Sequence, residues 1–225
     1  MATSRSIRVW DLPVRLTHWA MVLCVAGLYA TGEYGWLTME WHFRFGYAML
    51  ALVLFRLLWG VFGSEHARFV DFVRGPGAIG RYLRNWRSAD YAPAIGHNPL
   101  GALAVLAMLA LILAQTVSGL FSNDEIEWYG PLSERISIAA SAQWTEWHHL
   151  GQKLLLFLIV VHLGAVSAYR LLKREDLVQP MLSGRKQRSD AADARWRSPW
   201  LALALFSACL CVVWAISVWG PAGPY

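Results

Sequence analysis

Residues 147–162 read WHHLGQKLLLFLIVVH, an apolar, helix-forming run with histidines at both ends. On an α-helix a separation of 14 residues turns through about 1400°, which sets His148 and His162 within roughly 40° of one face and about 21 Å apart along the axis. His149, at a separation of 13, points roughly 140° away. Burying an unpartnered imidazole in a membrane-grade apolar stretch is costly, and imidazole is the commonest metal-ligating side chain. A histidine in such a run is therefore a functional candidate by default. Two ligands stacked on one face imply two stacked metal centres.

The rest of the chain supports a membrane setting. Of 225 residues, 56% are hydrophobic and only 16% charged, with 13 Trp; a soluble domain carries about a quarter charged residues. The formal net charge is +5, but the basic residues sit between apolar runs rather than along one soluble face. They read as topology signals and not as a nucleic-acid surface. Cys24, Cys209 and Cys211 all fall inside apolar segments and no C-x-x-C-H motif is present, which argues against covalent c-type haem and a disulfide framework. The N-terminal stretch MATSRSIRVWDLPVRLTHW has charges at Arg5, Arg8, Asp11 and Arg15 but no clear cleavage pattern. The first apolar run is expected to stay as a membrane anchor.

Five spans are predicted in a single membrane domain, at 16–33, 42–63, 98–121, 147–170 and 199–220. His18 and Trp19 open the first, His42 lies about one turn into the second, and Asn98 with Pro99 suits the start of the third. Residues 64–96 are polar, basic and punctuated by Gly and Pro. Within them Ile79, Tyr82, Leu83 and Trp86 alternate with Arg81, Arg84 and Arg87, as in an amphipathic helix lying on a membrane surface. His66 is expected to be solvated, and His97, ahead of the helix cap, is a poor ligand candidate. Residues 122–146 are acidic, with Asp124, Glu125, Glu127, Glu134 and Glu146; residues 171–198 are strongly basic. The positive-inside rule then places the N-terminus, 64–96 and 171–198 in the cytoplasm of a bacterial inner-membrane protein. The acidic loop and the C-terminal tail fall on the periplasmic side.

That orientation sorts the histidines by depth. His18 and His162 come to lie near the cytoplasmic face, His42 and His148 near the outer face. Two histidines per level are too few for zinc, which gathers four ligands, or three with an open position. They suit a flat macrocycle held from both sides between facing helices, so two b-type haems are the economical reading: His18 with His162, and His42 with His148. Arg44 and Arg56 read either as snorkelling interface residues or as partners for haem propionates.

Four stretches then match a known pattern: RVWDLPVRLTHW, WHFRFGYAMLALVLFRLLWGVFGSEHARF, GHNPLGALAVLAMLALILAQTVSGLF and WHHLGQKLLLFLIVVH. Together they resemble the prokaryotic cytochrome b561 family, which includes the b-type subunits of membrane hydrogenases. The resemblance implies an all-α membrane protein with a four-helix haem-binding bundle, here with a fifth C-terminal helix outside it. It implies ligation by His18, His42, His148 and His162. His149 stands where the family commonly has Glu, leaving open whether it replaces His148. The implied function is electron transfer between the quinone pool and a periplasmic redox partner such as a c-type cytochrome. Two alternatives are a superoxide:quinone oxidoreductase working without a protein partner and a non-redox polytopic membrane protein. A quinone site is expected either at His97 with the inner basic surface or at Trp128 and Tyr129 outside. The acidic loop is a candidate docking surface for a basic partner.

Overall fold

A computed structural model of the chain describes residues 5–86, 88, 91, 93–188 and 192–219. In order, the elements are β1 (Arg5–Arg8), α1 (Leu12–Gly32), α2 (Met39–Phe62), α3 (Phe69–Phe72), α4 (Pro76–Asn85), α5 (Pro99–Phe121), α6 (Ile138–Lys173), α7 (Val178–Ser183), β2 (Arg185–Arg188) and α8 (Pro199–Val218), with 3-10 turns at Glu65–Ala67 and Ser133–Arg135. Among the described residues five helices, α1, α2, α5, α6 and α8, are long and apolar enough to cross a membrane. The protein is an all-α membrane protein. The end of the last predicted span at Gly220, the C-terminal tail and Arg87 lie outside the described residues.

Local chemistry sets the helix starts. Asp11 accepts a hydrogen bond from Val14 N at 2.9 Å, Asn98 from Gly101 N at 2.8 Å, Ser137 from Ala140 N at 3.2 Å and Ser198 from Trp200 N at 3.3 Å. Each uses an otherwise orphaned first-turn N–H. Pro13, Pro99 and Pro199 occupy first-turn positions where a missing N–H costs nothing. Ser137 starts α6 at Ile138, well ahead of Trp147, so the C-terminal part of the acidic stretch is helical. At the far end α6 stops on Arg174, whose φ of 53° breaks the helix in the left-handed region.

Packing centres on α2. Helix α1 runs along one side of it, α5 and α8 along others, and α6 packs on α5. Met49, Leu50, Ala51, Val53, Phe55 and Trp59 of α2 are all buried. One apolar core joins α1, α2, α5 and α6 through Cys24, Met49, Val53, Leu109, Ile112 and Leu155; a second gathers Ile7, Val9, Trp10, Val14, Phe55, Trp59, Ala202 and Cys209. By contrast, Leu150, Leu154, Phe157, Val160 and Leu163 of α6 are exposed, an apolar face suited to lipid. Among the described residues α6 makes no extended backbone approach to α1 or α2, leaving a slot between them.

One strand pair departs from the all-helical expectation. β1 pairs antiparallel with β2, Arg5 opposite Arg188 and Arg8 opposite Arg185, and Val9 N donates to Gly184 O at 2.9 Å. Gly184, at φ 79°, makes the turn between α7 and β2. The ribbon ties the segment before α1 to the segment after α6, closing one end of the helical array. Helix α4 has no buried residue, in keeping with its alternation of apolar and basic side chains.

Candidate functional site

The slot beside α6 is where the histidines gather. His42 on α2 faces His148 on α6 with ring centroids 6.3 Å apart and planes inclined at 74°. An iron held by two imidazoles at about 2 Å each would separate the ring centroids by roughly 6 Å. The spacing of the two rings fits a group that both would hold.

The back of each ring is held. His42 Nδ1 lies 3.1 Å from Thr31 Oγ1, and that hydroxyl already donates to Gly27 O at 2.8 Å or Leu28 O at 3.1 Å. The hydroxyl must therefore accept, with Nδ1–H as donor. His148 Nδ1 lies 3.0 Å from both Gln115 O and Ser118 Oγ, and Ser118 Oγ in turn donates to Gln115 O at 2.9 Å. Donation from Nδ1 fixes the tautomer and leaves Nε2 with its lone pair, the arrangement metal-ligating histidines use. Two glycines make room for the rings. A Cβ at Gly32 would sit 2.9 Å from His42 Cε1, and one at Gly119 would sit 3.1 Å from His148 Cε1.

His149 is exposed on the other side of α6, as its helical phase requires. His18 on α1 and His162 on α6 are the other two histidines the sequence singles out, and both are partly buried. The buried His18 Nδ1 has no hydrogen-bond partner, and the ring stands edge-on to Trp19 at 5.2 Å. Unlike the first pair, this one has no hydroxyl behind His18. The His42–His148 donor set fits a flat group that two imidazoles would hold.

Both arginines have partners within the protein. Arg44 is exposed, pairs with Glu40 one turn back and lies 4.9 Å over the Trp41 ring. Arg56 is buried, donates from Nη1 to Ala67 O at 3.2 Å and stands 5.5 Å over the Phe69 ring.

Several participants were not singled out from the sequence. Thr31, Gln115 and Ser118 are ordinary helix residues until a histidine is seen behind them. Gly32 did carry a signal: it lies 14 residues after His18, on the same face of α1. Asp11 was read only as a terminal charge, yet it is 5% exposed, caps α1 and accepts from Trp59 Nε1 at 2.9 Å. His66, expected in solvent, is half-buried with its ring edge-on to Trp10 at 6.4 Å. His97 lies between Trp10 at 4.6 Å and Phe72 at 4.4 Å, its Nδ1 buried without a partner. Burial holds His97 down at about 3, with Arg56 and His66 adding. On the opposite side of the bundle Asp124 accepts from Ile126, Glu127 and Trp128 backbone N–H groups, organising the loop, while Glu125, Glu127, Glu134 and Glu146 are exposed. Trp128 packs on Phe43 at 6.1 Å, and Tyr129 is partly exposed.

The chain is similar to several known proteins. The chain is 23% identical over 217 residues to a probable Ni/Fe-hydrogenase B-type cytochrome subunit of Bradyrhizobium diazoefficiens, covering 82% of this chain and 87% of the relative. Against the corresponding protein of Cupriavidus necator identity is 25% over 219 residues, covering 82% and 89%. Against the probable Ni/Fe-hydrogenase 1 B-type cytochrome subunit of Escherichia coli K12 it is 22% over 213 residues, covering 78% and 88%. No solved structure matches the chain. The family model for prokaryotic cytochrome b561 matches residues 9–184, from the β1–α1 junction through all four histidines to the turn before β2, and the chain accordingly belongs to that family of b-type membrane cytochromes.

Proposed function

We propose that the chain holds two haem b groups, one between His18 and His162 and one between His42 and His148, and carries electrons across the membrane between the quinone pool and a redox partner. The observation that carries this reading is the His42–His148 pair, at axial-ligand spacing with each Nδ1 held from behind. Haem supplies a one-electron centre. The protein's part is to present Nε2 from each side, to fix the tautomers through Thr31, Ser118 and the Gln115 carbonyl, and to keep water out with apolar helix faces.

The relatives named as hydrogenase cytochrome subunits support an attached redox enzyme of that kind as partner. The exposed carboxylates Glu125, Glu127, Glu134 and Glu146 favour a second reading, a basic c-type cytochrome that docks transiently. Under the positive-inside rule this acidic end is periplasmic and the basic end cytoplasmic.

Haem content and the reduced-minus-oxidised spectrum of purified variants test the assignment. Wild type should carry two haems per chain. His148→Ala or His42→Ala should each lose one, His18→Ala or His162→Ala the other, and His149→Ala neither. One haem in wild type, or haem loss in His149→Ala with full content in His148→Ala, would overturn it.

A further inference from the structure

Where α2 ends and α8 begins, the structure has a cleft whose lining includes none of the four histidines. Its volume is about 330 Å³, and it is lined by Gly63, Glu65, Arg68, Arg195, Trp196 and Arg197. Gly63 closes α2 and Ser198 caps α8, so the cleft lies level with the ends of two membrane-spanning helices. In a bilayer that is the depth of the lipid headgroups.

The walls are built and the charges are unspent. Residues 195–197 are fastened to 64–65 through backbone: Glu65 N donates to Arg195 O at 3.0 Å, Arg195 N to Glu65 Oε2 at 2.9 Å and Arg197 N to Ser64 Oγ at 3.1 Å. Glu65, the one carboxylate in the lining, is thus partly used by a main-chain donor. Arg68 Nε pairs with Asp71 at 2.7 Å, leaving its other nitrogens unassigned. Among the described residues the guanidiniums of Arg195 and Arg197 make no hydrogen bond or ion pair. Trp196 is fixed from the far side by Arg8, whose guanidinium lies 4.8 Å from the ring. Val61 and Phe62 at the end of α2 and Trp200 in the first turn of α8 are 56%, 52% and 76% exposed.

We propose that this cleft binds the phosphate of an anionic phospholipid, held by Arg195 and Arg197 with Arg68 beside them, its acyl chains running down the Val61, Phe62 and Trp200 surface. Guanidinium forks match phosphate oxygens in geometry as well as charge, and basic pockets between membrane helices suit such headgroups. The exposed apolar side chains at the two helix ends that flank the cleft favour a lipid over a free anion. This lipid site is independent of the haem assignment, since it shares no residue with the histidine pairs.

Native mass spectrometry of the full-length protein released from detergent tests it, with added phosphatidylglycerol, phosphatidylcholine or inorganic phosphate. Wild type should retain one phosphatidylglycerol per chain in preference to phosphatidylcholine. Arg195→Gln/Arg197→Gln should weaken that retention about tenfold, while Arg81→Gln/Arg84→Gln on the exposed face of α4 should leave it unchanged. An unchanged haem spectrum and melting point in the first variant would show that the loss is local. Should that variant not fold, the wild-type preference between the two lipids decides the matter. Equal retention of both lipids, undiminished retention in Arg195→Gln/Arg197→Gln, or displacement of phosphatidylglycerol by millimolar inorganic phosphate would each overturn the proposal.

Discussion

Asp11 ties the start of α1 to the end of α2. Its carboxylate caps α1 through Val14 N and takes the indole N–H of Trp59, a fully buried residue near the end of α2. Removing it leaves a buried donor unsatisfied and uncaps the helix. Asp11→Ala should cost about 2–4 kcal/mol in thermal or denaturant unfolding in detergent, and Asp11→Asn, which keeps an acceptor, clearly less. An unshifted midpoint for the alanine variant would show that the bridge is not stabilising. None of this was legible in the sequence, where an aspartate before Leu-Pro reads as a helix cap at most. Its partner Trp59 is 48 residues away, and pairings at that range have no local signal.

His97 gives a pH dependence with a definite sign. A free histidine titrates at 6.5, and burial between Trp10 and Phe72, aided by Arg56 and His66, holds this one at about 3. Between those values the unfolded chain binds a proton that the folded chain does not, so stability falls as pH drops below 6.5 and levels off only below 3. The slope from this residue approaches about 1.4 kcal/mol per pH unit in that window. His66, also held down by burial despite the opposing charges of Glu65 and Asp71, acts in the same direction. Melting curves near pH 5 and 7 should differ accordingly, and His97→Phe, which keeps an aromatic ring in the cage, should flatten the difference. Equal slopes in wild type and variant would show that His97 is not the group responsible.

At the scale of elements, the five long helices could be read from hydropathy because a bilayer imposes length and apolarity on each span separately. Part of the phase of α6 was equally readable: His148 faces His42 and His149 faces out. What hydropathy could not rank is which helix is central. α6 bears two of the four candidate ligands, yet α2 is the packing hub, because lipid is as apolar as a protein core and exposed and buried leucines look alike in sequence. The close approach of α1 and α5 to the imidazoles was hidden for a related reason, since a glycine in a spanning helix has several uses. Gly32 and Gly119 here stand against the rings of His42 and His148, so Gly32→Val and Gly119→Val should displace those rings and lower haem content toward one per chain. Full haem content in both variants would show that the rings can shift without loss. Thr31→Val, which removes only the acceptor behind His42, should keep the haem but weaken its retention about tenfold.

For the whole molecule, the distribution of charge separates the two partner readings. One end of the bundle carries the β1–β2 ribbon with its arginines and the cleft lined by Arg68, Arg195 and Arg197; the other presents Glu125, Glu127, Glu134 and Glu146 to solvent. A transient basic partner approaching the acidic end would be steered by that field, and exposed charges are screened as the Debye length shrinks from about 30 Å at 0.01 M salt to about 8 Å at 0.15 M. Quinol-dependent reduction of a basic c-type cytochrome by the purified protein should then slow several-fold across that range, and Glu125→Gln/Glu127→Gln should blunt the dependence. Asp124 is left out of that variant because its carboxylate holds the loop together through Ile126, Glu127 and Trp128. A permanently attached redox subunit predicts the opposite behaviour, a turnover insensitive to salt once the complex has formed, together with co-purification of that subunit. Salt-independent reduction of the soluble cytochrome would therefore exclude docking by steering and favour the attached enzyme for which the relatives are named.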